Sequence, residues 1–331
     1  MEPVVAFEYT EHLRRLRARV NEALPRLPLP QEPADLYAPV RYVLDSEGKR
    51  FRPLLVLLAA EASGATEDDA FPAALAVEVF HNFTLVHDDI MDQAATRRGR
   101  PTVHVRWDVA TAVLCGDYLM ALSYDLLAQC RADRLPALLR VWHRMVQRLC
   151  EGQALDKAME QQAAVSVEAY LHMVDGKTGA LLAACLELGG LLGQAPPQDL
   201  HRLRAVGEHL GRAFQIQDDL LDLVAPDTRW GKRIGGDLLT GKKTYLLLQA
   251  LEQAKGGAYD WFARIVQQQG LPEADIPEAR SRMEDLGVLD RAREAVAYHT
   301  RAAQDQLAGL PAHPARDGLQ RLVDRMQARL H

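Results

Sequence analysis

Residues Phe71–Asp92 read FPAALAVEVFHNFTLVHDDIMD. Leu75, Val79, Phe83, Val86 and Ile90 recur at steps of three and four, the period of an α-helix. The segment is apolar on most sides, as expected of a helix enclosed by neighbours. It nevertheless ends in acid. Asp88 and Asp92 are four residues apart and share a helix face, with Thr84 and His81 on that face one and two turns earlier. Carboxylates at a helix C-terminus oppose the macrodipole, so a simple solvated acidic end is costly and something cationic has to offset it.

The same periodicity extends outward. Leu54–Ala62 is apolar without a break, and Thr111–Cys130, Leu135–Met159, Glu168–Leu192 and Leu200–Val224 repeat the pattern. A short first helix carries Leu13, Leu16 and Val20, and a Pro-rich connector is expected over residues 26–39, with Pro28, Pro30, Pro33 and Pro39. A last helix is predicted over Leu319–Leu330, with Leu319, Leu322, Val323, Met326 and Leu330 as its packing stripe. Breaks fall in GQAPPQ and PDTRWGKRIGGD. No stretch alternates in the manner of a strand, so the chain is predicted to be all-α, one domain over residues 1–331.

Composition bounds the function. A net charge of −6 lacks the basic surplus of a nucleic-acid binder. The four cysteines, Cys115, Cys130, Cys150 and Cys185, form no CxxC pair and read as small apolar residues in a reducing compartment. The N-terminus lacks the pattern of a signal peptide and no run of eighteen apolar residues occurs, so a cytoplasmic protein without a membrane span is expected.

A second acidic stripe stands in FQIQDDLLDL, where Gln215, Asp218, Asp219 and Asp222 follow helical spacing between apolar flanks. Two mostly buried helices that each end in DDxxD need counter-charge, because buried carboxylates must be paired or metal-bound. Hard oxygen ligands, few per helix and without thiolate or imidazole pairs, suit Mg²⁺, which takes its remaining ligands from water and phosphate. Basic loops lie nearby: Lys49, Arg50 and Arg52 in GKRFRP, Arg97 and Arg98 in TRRGRPT, and Lys232, Lys242 and Lys243 in GKRIGGDLLTGKKT. Lys177 and Thr178 lie between Gly176 and Gly179, expected at the start of a helix with backbone N–H groups available. GDLLTGKK imitates a nucleotide P-loop, but Lys243 stands where Ser or Thr should hold magnesium and no strand precedes it.

In order along the chain, GKRFRP, HDDIMD with RRG, GQALD, GKT, FQIQDDLLD and GKRIGGDLLTGKKT resemble the motifs of the trans-isoprenyl diphosphate synthases, the polyprenyl synthetase family. The resemblance spans about Gly48 to Tyr245. It implies a helical bundle around a deep central cavity, a homodimer, and three Mg²⁺ ions bridging the aspartates and an allylic diphosphate. By matched position, Asp88, Asp92 and Asp218 are implied as metal ligands, with Asp219 and Asp222 in support. Arg97, Lys177, Thr178, Gln215, Lys232 and Lys242 are implied as binders of the allylic diphosphate. Lys49, Arg52, His81 and Arg98 are implied as binders of isopentenyl diphosphate. The implied reaction ionises the allylic diphosphate and adds the resulting cation to the isopentenyl alkene. Phe80, Phe83 and Thr84, just before the first motif, are expected to limit product length, with geranylgeranyl diphosphate favoured over farnesyl diphosphate. A terpene cyclase or a non-catalytic subunit of a heteromeric synthase are the alternatives; the intact second DDxxD and the GKRFRP loop count against them.

Overall fold

The computed structural model describes residues 2–225 and 234–327. In chain order the helices are α1 (Glu2–Ala23), α2 (Ala34–Leu44), α3 (Phe51–Ala62), α4 (Glu67–Met91), α5 (Val103–Arg106), α6 (Val109–Ala128), α7 (Leu135–Gln161), α8 (Val167–Val174), α9 (Ala180–Leu192) and α10 (Pro197–Val224). They continue with α11 (Gly236–Leu239), α12 (Tyr245–Gln253), α13 (Gly257–Gln267), α14 (Ile276–Asp285), α15 (Val288–Ala308) and α16 (Pro314–Gln327). The only strands among the described residues are β1 (Thr96–Arg97) and β2 (Arg100–Pro101), an antiparallel hairpin directly after α4. The fold is all-α, as the periodicity implied. The chain resolves into two compact units.

The first unit comprises Met1–Val141, Cys185–Leu200 and Pro311–Leu319. Its spine is α4, packed between α3 and α6. Thr66 starts α4 with a capping box, its hydroxyl accepting from the Asp69 N–H at 3.2 Å. Glu67, Asp68 and Asp69 then complement the positive end of the helix. Glu67 and Asp68 also take ion pairs from Arg15 and Arg19 of α1, which ties the first helix to the start of α4. Leu54–Ala60 and Ala73–Phe80 are buried, so α3 and α4 are enclosed on nearly every side. Where α4 crosses α6, a Cβ added at Gly116 would lie 2.1 Å from the His87 Nε2; only glycine lets that imidazole lie against α6.

The second unit comprises Trp142–Ala184, His201–Leu310 and Gln320–His331. Its core gathers Tyr170, Ile216, Leu220, Leu246, Leu247, Leu248, Phe262 and Val296. Here α8 runs through a π-helical turn, Asp175–Gly179, directly into α9. Such single π-turns widen a helix locally and recur at functional sites.

Three expectations change. The connector after α1 is shorter than residues 26–39, because α2 begins at Ala34 and includes Pro39. Lys177 and Thr178 do not open a helix: they sit in the π-turn inside a continuous one, so no free row of helix N–H groups faces a ligand there. TRRGRPT forms the hairpin rather than an open loop. The described part of the last helix stops at Gln327, so Leu330 lies outside the described residues, as does Lys232. By length and composition α6 could cross a membrane, with a mean hydropathy of 1.2 over eighteen residues and a third of them buried.

Between α10 and α15 the Nδ1 atoms of His209 and His299 meet at 3.0 Å, so one ring donates and the other accepts. Burial pushes His299 down to about 4, helped by His209 and Arg212. An imidazole held below its free value favours the folded state above pH ~6.5, and that contribution is lost as the pH falls towards 4. Thermal unfolding of His299→Gln should therefore lose less stability between pH 6.5 and 4 than the parent chain. Parallel pH profiles would mean that His299 is not held neutral.

Candidate active site

In the first unit the acidic end of α4, the hairpin and the Ser46–Arg52 loop surround one another. Asp88 and Asp89 are neighbours with different fates. Asp89 is buried, and its Oδ1 accepts from Arg97 Nε at 2.7 Å and lies 2.7 Å from Arg97 Nη2. Burial pushes the Asp89 carboxyl up, against the pull of that guanidinium. Asp88 is half-buried and Asp92 exposed, one turn apart on the adjacent face. A cavity of about 60 Å³ lies beside this arrangement, lined among others by Tyr42, Ser46, Asn82, Asp89, Arg97 and Arg98. Tyr42 secures its wall: its hydroxyl donates to the Pro101 carbonyl at 2.8 Å, and the Arg100 and Arg106 guanidiniums lie 3.9 and 4.4 Å from its ring centroid.

Two turns up α4, Arg52 Nη1 donates to His81 Nε2 at 3.1 Å. Burial, then Arg52 and Arg98, hold the His81 imidazole well below its ordinary value, so the ring is neutral and can accept. The Arg52 Nε is buried with no partner among the described residues. Arg98 is held at Ser46 Oγ and the Glu47 carbonyl, both at 3.2 Å. Arg50, from the same GKRFRP motif, is turned inward to Glu78 at 2.7 Å. Glu78 is therefore the buried carboxylate to which these three arginines are coupled. A buried cationic group with a spare donor calls for an anion.

The chain-length candidates lie on the side of α4 turned to α6. Phe80 is fully buried, Phe83 half-buried, and their ring centroids are 5.1 Å apart. Phe83 meets the edge of His87 at 4.9 Å, and His87 reaches the Val113 carbonyl of α6 at 3.2 Å. The Thr84 hydroxyl donates to the His81 carbonyl at 2.8 Å.

In the second unit, α7, the π-turn and α10 build the other cluster. Gly152 of α7 lies against the turn so closely that an added Cβ would fall 2.1 Å from the Lys177 backbone nitrogen. This approach brings Lys177 Nζ to Asp156 Oδ2 at 2.6 Å. The π-turn is also held by Arg212, whose guanidinium grips Asp175 with two bonds of 2.7 and 2.6 Å. A hydrogen-bond chain then runs along α10: the Thr178 hydroxyl donates to Gln215 Oε1 at 3.2 Å, and Gln215 Nε2 donates to Asp219 Oδ1 at 3.1 Å. The other oxygen of Asp219 accepts from the Tyr170 hydroxyl at 2.5 Å and from the Tyr245 N–H at 2.9 Å. Burial and Asp237 push the Asp219 carboxyl up to about 7, opposed by those donors. Asp218 and Asp222 are half-buried on the neighbouring face, and Asp222 Oδ2 accepts the Asp237 N–H at 3.0 Å. Lys242 is exposed, its Nζ 3.9 Å from Asp237.

Each acidic motif is thus split. Asp89 and Asp219 are held by protein donors, whereas Asp88 with Asp92, and Asp218 with Asp222, form i,i+4 pairs on the more open face. Among the described residues no three metal-ligating side chains gather round one point. Two carboxylates per helix, with no imidazole or thiolate, fit a cation that completes its shell with water and phosphate, as Mg²⁺ does. Asp219, expected among the metal-side residues, has its oxygens taken by three hydrogen bonds and stands as a support. Sequence reasoning did not single out Glu78, Asp156, Asp175, Arg212 or Tyr170; GQALD had been quoted as a motif, but its Asp156 carried no role until it met Lys177.

A profile of the polyprenyl synthetase family matches residues 33–283. A geranylgeranyl diphosphate synthase of Methanosarcina mazei is 36% identical over 324 residues, covering 96% of this chain and 97% of that one. A geranylfarnesyl diphosphate synthase of Natronomonas pharaonis is 38% identical over 332 residues, covering 93% and 94%. The crystal structure of a geranylgeranyl pyrophosphate synthetase from Pyrococcus horikoshii superposes with a TM-score of 0.90 at 35% identity, covering 97% of this chain and 99% of that one. The profile reaches across both units and the relatives align nearly end to end, so the chain belongs to the polyprenyl synthetase family.

Proposed function

We propose that this protein condenses isopentenyl diphosphate with allylic diphosphates, head to tail, and stops at geranylgeranyl diphosphate. Family membership makes it a short-chain trans-prenyltransferase of a generally Mg²⁺-dependent kind. The observation that carries the substrate reading is the group of half-buried Arg52, neutral half-buried His81 and exposed Arg98, in which the buried Arg52 Nε, without a partner among the described residues, calls for an anion. With Lys49 it forms the clamp for isopentenyl diphosphate. Arg97, Lys177, Thr178, Gln215 and Lys242, with Lys232, receive the allylic diphosphate. Arg97 and Lys177 are partnered by Asp89 and Asp156, which fixes their positions and lowers the reorganisation the reaction requires.

Asp88, Asp92, Asp218 and Asp222 would hold Mg²⁺, three ions with substrate bound, and Asp219 would fix the pitch of the second motif. When bound, Mg²⁺ supplies positive charge to the departing diphosphate. The chain's own cations add to that stabilisation, because they are placed before charge develops. His81 and Arg52 orient the isopentenyl diphosphate so that its alkene meets the allylic cation, and apolar side chains exclude water from that cation. The chain works as a single polyprenyl synthetase domain in the cytoplasm. Its partner is a second copy of itself, docked through α6, where Val109, Val113 and Leu114 expose apolar surface (58% of Leu114).

Incubation of the purified protein with isopentenyl diphosphate and geranyl or farnesyl diphosphate should yield geranylgeranyl diphosphate in a Mg²⁺-dependent manner. Asp88→Ala and Asp218→Ala should each lower kcat by about a thousandfold or more with the melting temperature preserved. A cyclised hydrocarbon, or no product from a folded chain, would overturn the reading. For chain length, Phe83→Ala and more so Phe80→Ala/Phe83→Ala should lengthen the product by one or more five-carbon units, read by chromatography after dephosphorylation. An unchanged product from an active double variant would move the stop away from these rings.

A further inference from the structure

Arg50 belongs to the same motif as Lys49 and Arg52, yet it does not share their environment. Its backbone is left-handed, with φ 49°, a conformation that a non-glycine residue adopts only when its surroundings impose it. Its guanidinium is consumed. Nε donates to Asn21 Oδ1 of α1 at 2.7 Å, Nη1 to Glu78 Oε1 of α4 at 2.7 Å, and Nη2 to the Ser46 carbonyl. The pair is enclosed, with 2% of the Arg50 side chain and 4% of the Glu78 side chain exposed. Asn82, one turn further along α4, donates to the Glu78 backbone carbonyl at 2.8 Å.

We propose that the buried Glu78–Arg50 pair is the positioning device of the isopentenyl diphosphate clamp. Glu78 takes Arg50 out of the binding set, and Arg50 in turn fixes the Ser46–Arg52 loop on which the clamp depends. The proposal rests on the assignment of Lys49, Arg52, His81 and Arg98 to isopentenyl diphosphate.

Two features of the geometry support it. First, Arg50 reaches the Ser46 carbonyl while Arg98 holds Ser46 Oγ and the Glu47 carbonyl, so the inner arginine and an arginine of the clamp both grip Ser46. A shift at Arg50 is therefore passed to Arg98 through a shared loop. Secondly, Arg52, which bonds His81, follows by two residues the left-handed position that Arg50 holds. Charge points the same way. One buried carboxylate stands among three guanidiniums, and its direct contact goes to the arginine that faces inward. Arg52 and Arg98 are then left for the substrate. A buried ion pair is weak evidence for stability, since apolar residues of similar size often serve as well.

Steady-state kinetics with each substrate varied in turn, alongside thermal unfolding, test this. Glu78→Gln should raise the KM for isopentenyl diphosphate about tenfold and leave the KM for the allylic diphosphate within about twofold. Asn21→Ala, which removes only the outer acceptor of Arg50, should produce the same selective rise on a smaller scale, about threefold. Glu78→Leu/Arg50→Met removes both charges; it should recover the melting temperature while the isopentenyl diphosphate KM stays raised. Recovery of that KM together with stability would reduce the pair to packing and overturn the proposal. So would unaltered KM values in folded Glu78→Gln and Asn21→Ala. Arg52→Ala separates the two levels of the argument: if it weakens the allylic substrate instead, the clamp assignment itself fails, whatever the Glu78 variants do.

Discussion

Charge enclosed by apolar helices has to be matched, and most of the local geometry of this protein follows from that requirement. Each acidic motif sits at the end of a long helix with an apolar surround, and each contains two consecutive aspartates. Consecutive helical residues point about 100° apart, so both cannot face the same partner. In each motif one aspartate is buried and fixed by protein donors, and the others lie on the more open face, where Asp222 also accepts the Asp237 N–H. Arg97 takes Asp89, and Tyr170, Gln215 and the Tyr245 N–H take Asp219. The fixed aspartate sets the rotation of the helix end, and that rotation aims the neighbours.

The cations obey the same rule. Of the arginines around the GKRFRP loop, Arg50 is neutralised by Glu78, whereas Arg52 reaches only a neutral imidazole and keeps a buried donor without a partner among the described residues. Lys177 is paired with Asp156 across a backbone contact that Gly152 permits. A π-turn at this place shifts Lys177 and Thr178 out of the ordinary helical register, while the Arg212–Asp175 fork keeps the turn from relaxing. Rigid, partnered cations suit a reaction whose leaving group gains charge late, because little reorganisation remains to be done.

Much of this was legible in the residues. The 3.6-residue period placed α3, α4, α6, α7, α9 and α10 to within a few positions, because their apolar faces are wide and uninterrupted. Proline misled at Pro39, the sixth residue of α2, which the helix includes although a proline there forgoes the bond to the Asp35 carbonyl. The helix start expected at Lys177 and Thr178 misled too: the helix is continuous there, and a Cβ on Gly176 would fall 2.6 Å from the Arg148 carbonyl of α7.

What the sequence by itself determined is the inventory: an all-α chain, two DDxxD stripes on helical faces, and basic motifs near each of them. Periodicity and spacing are local properties, and they survive translation into structure. Only the tertiary structure decided which member of each set is used internally. Asp88 and Asp89, or Arg50 and Arg52, are chemically equivalent on paper. The commitment of Arg50 to Glu78 and Asn21, and of Asp219 to Tyr170 and Tyr245, joins residues at least 26 apart in the chain, whereas Asp89 meets Arg97 only eight residues on. Those encounters are set by packing, which no local pattern encodes.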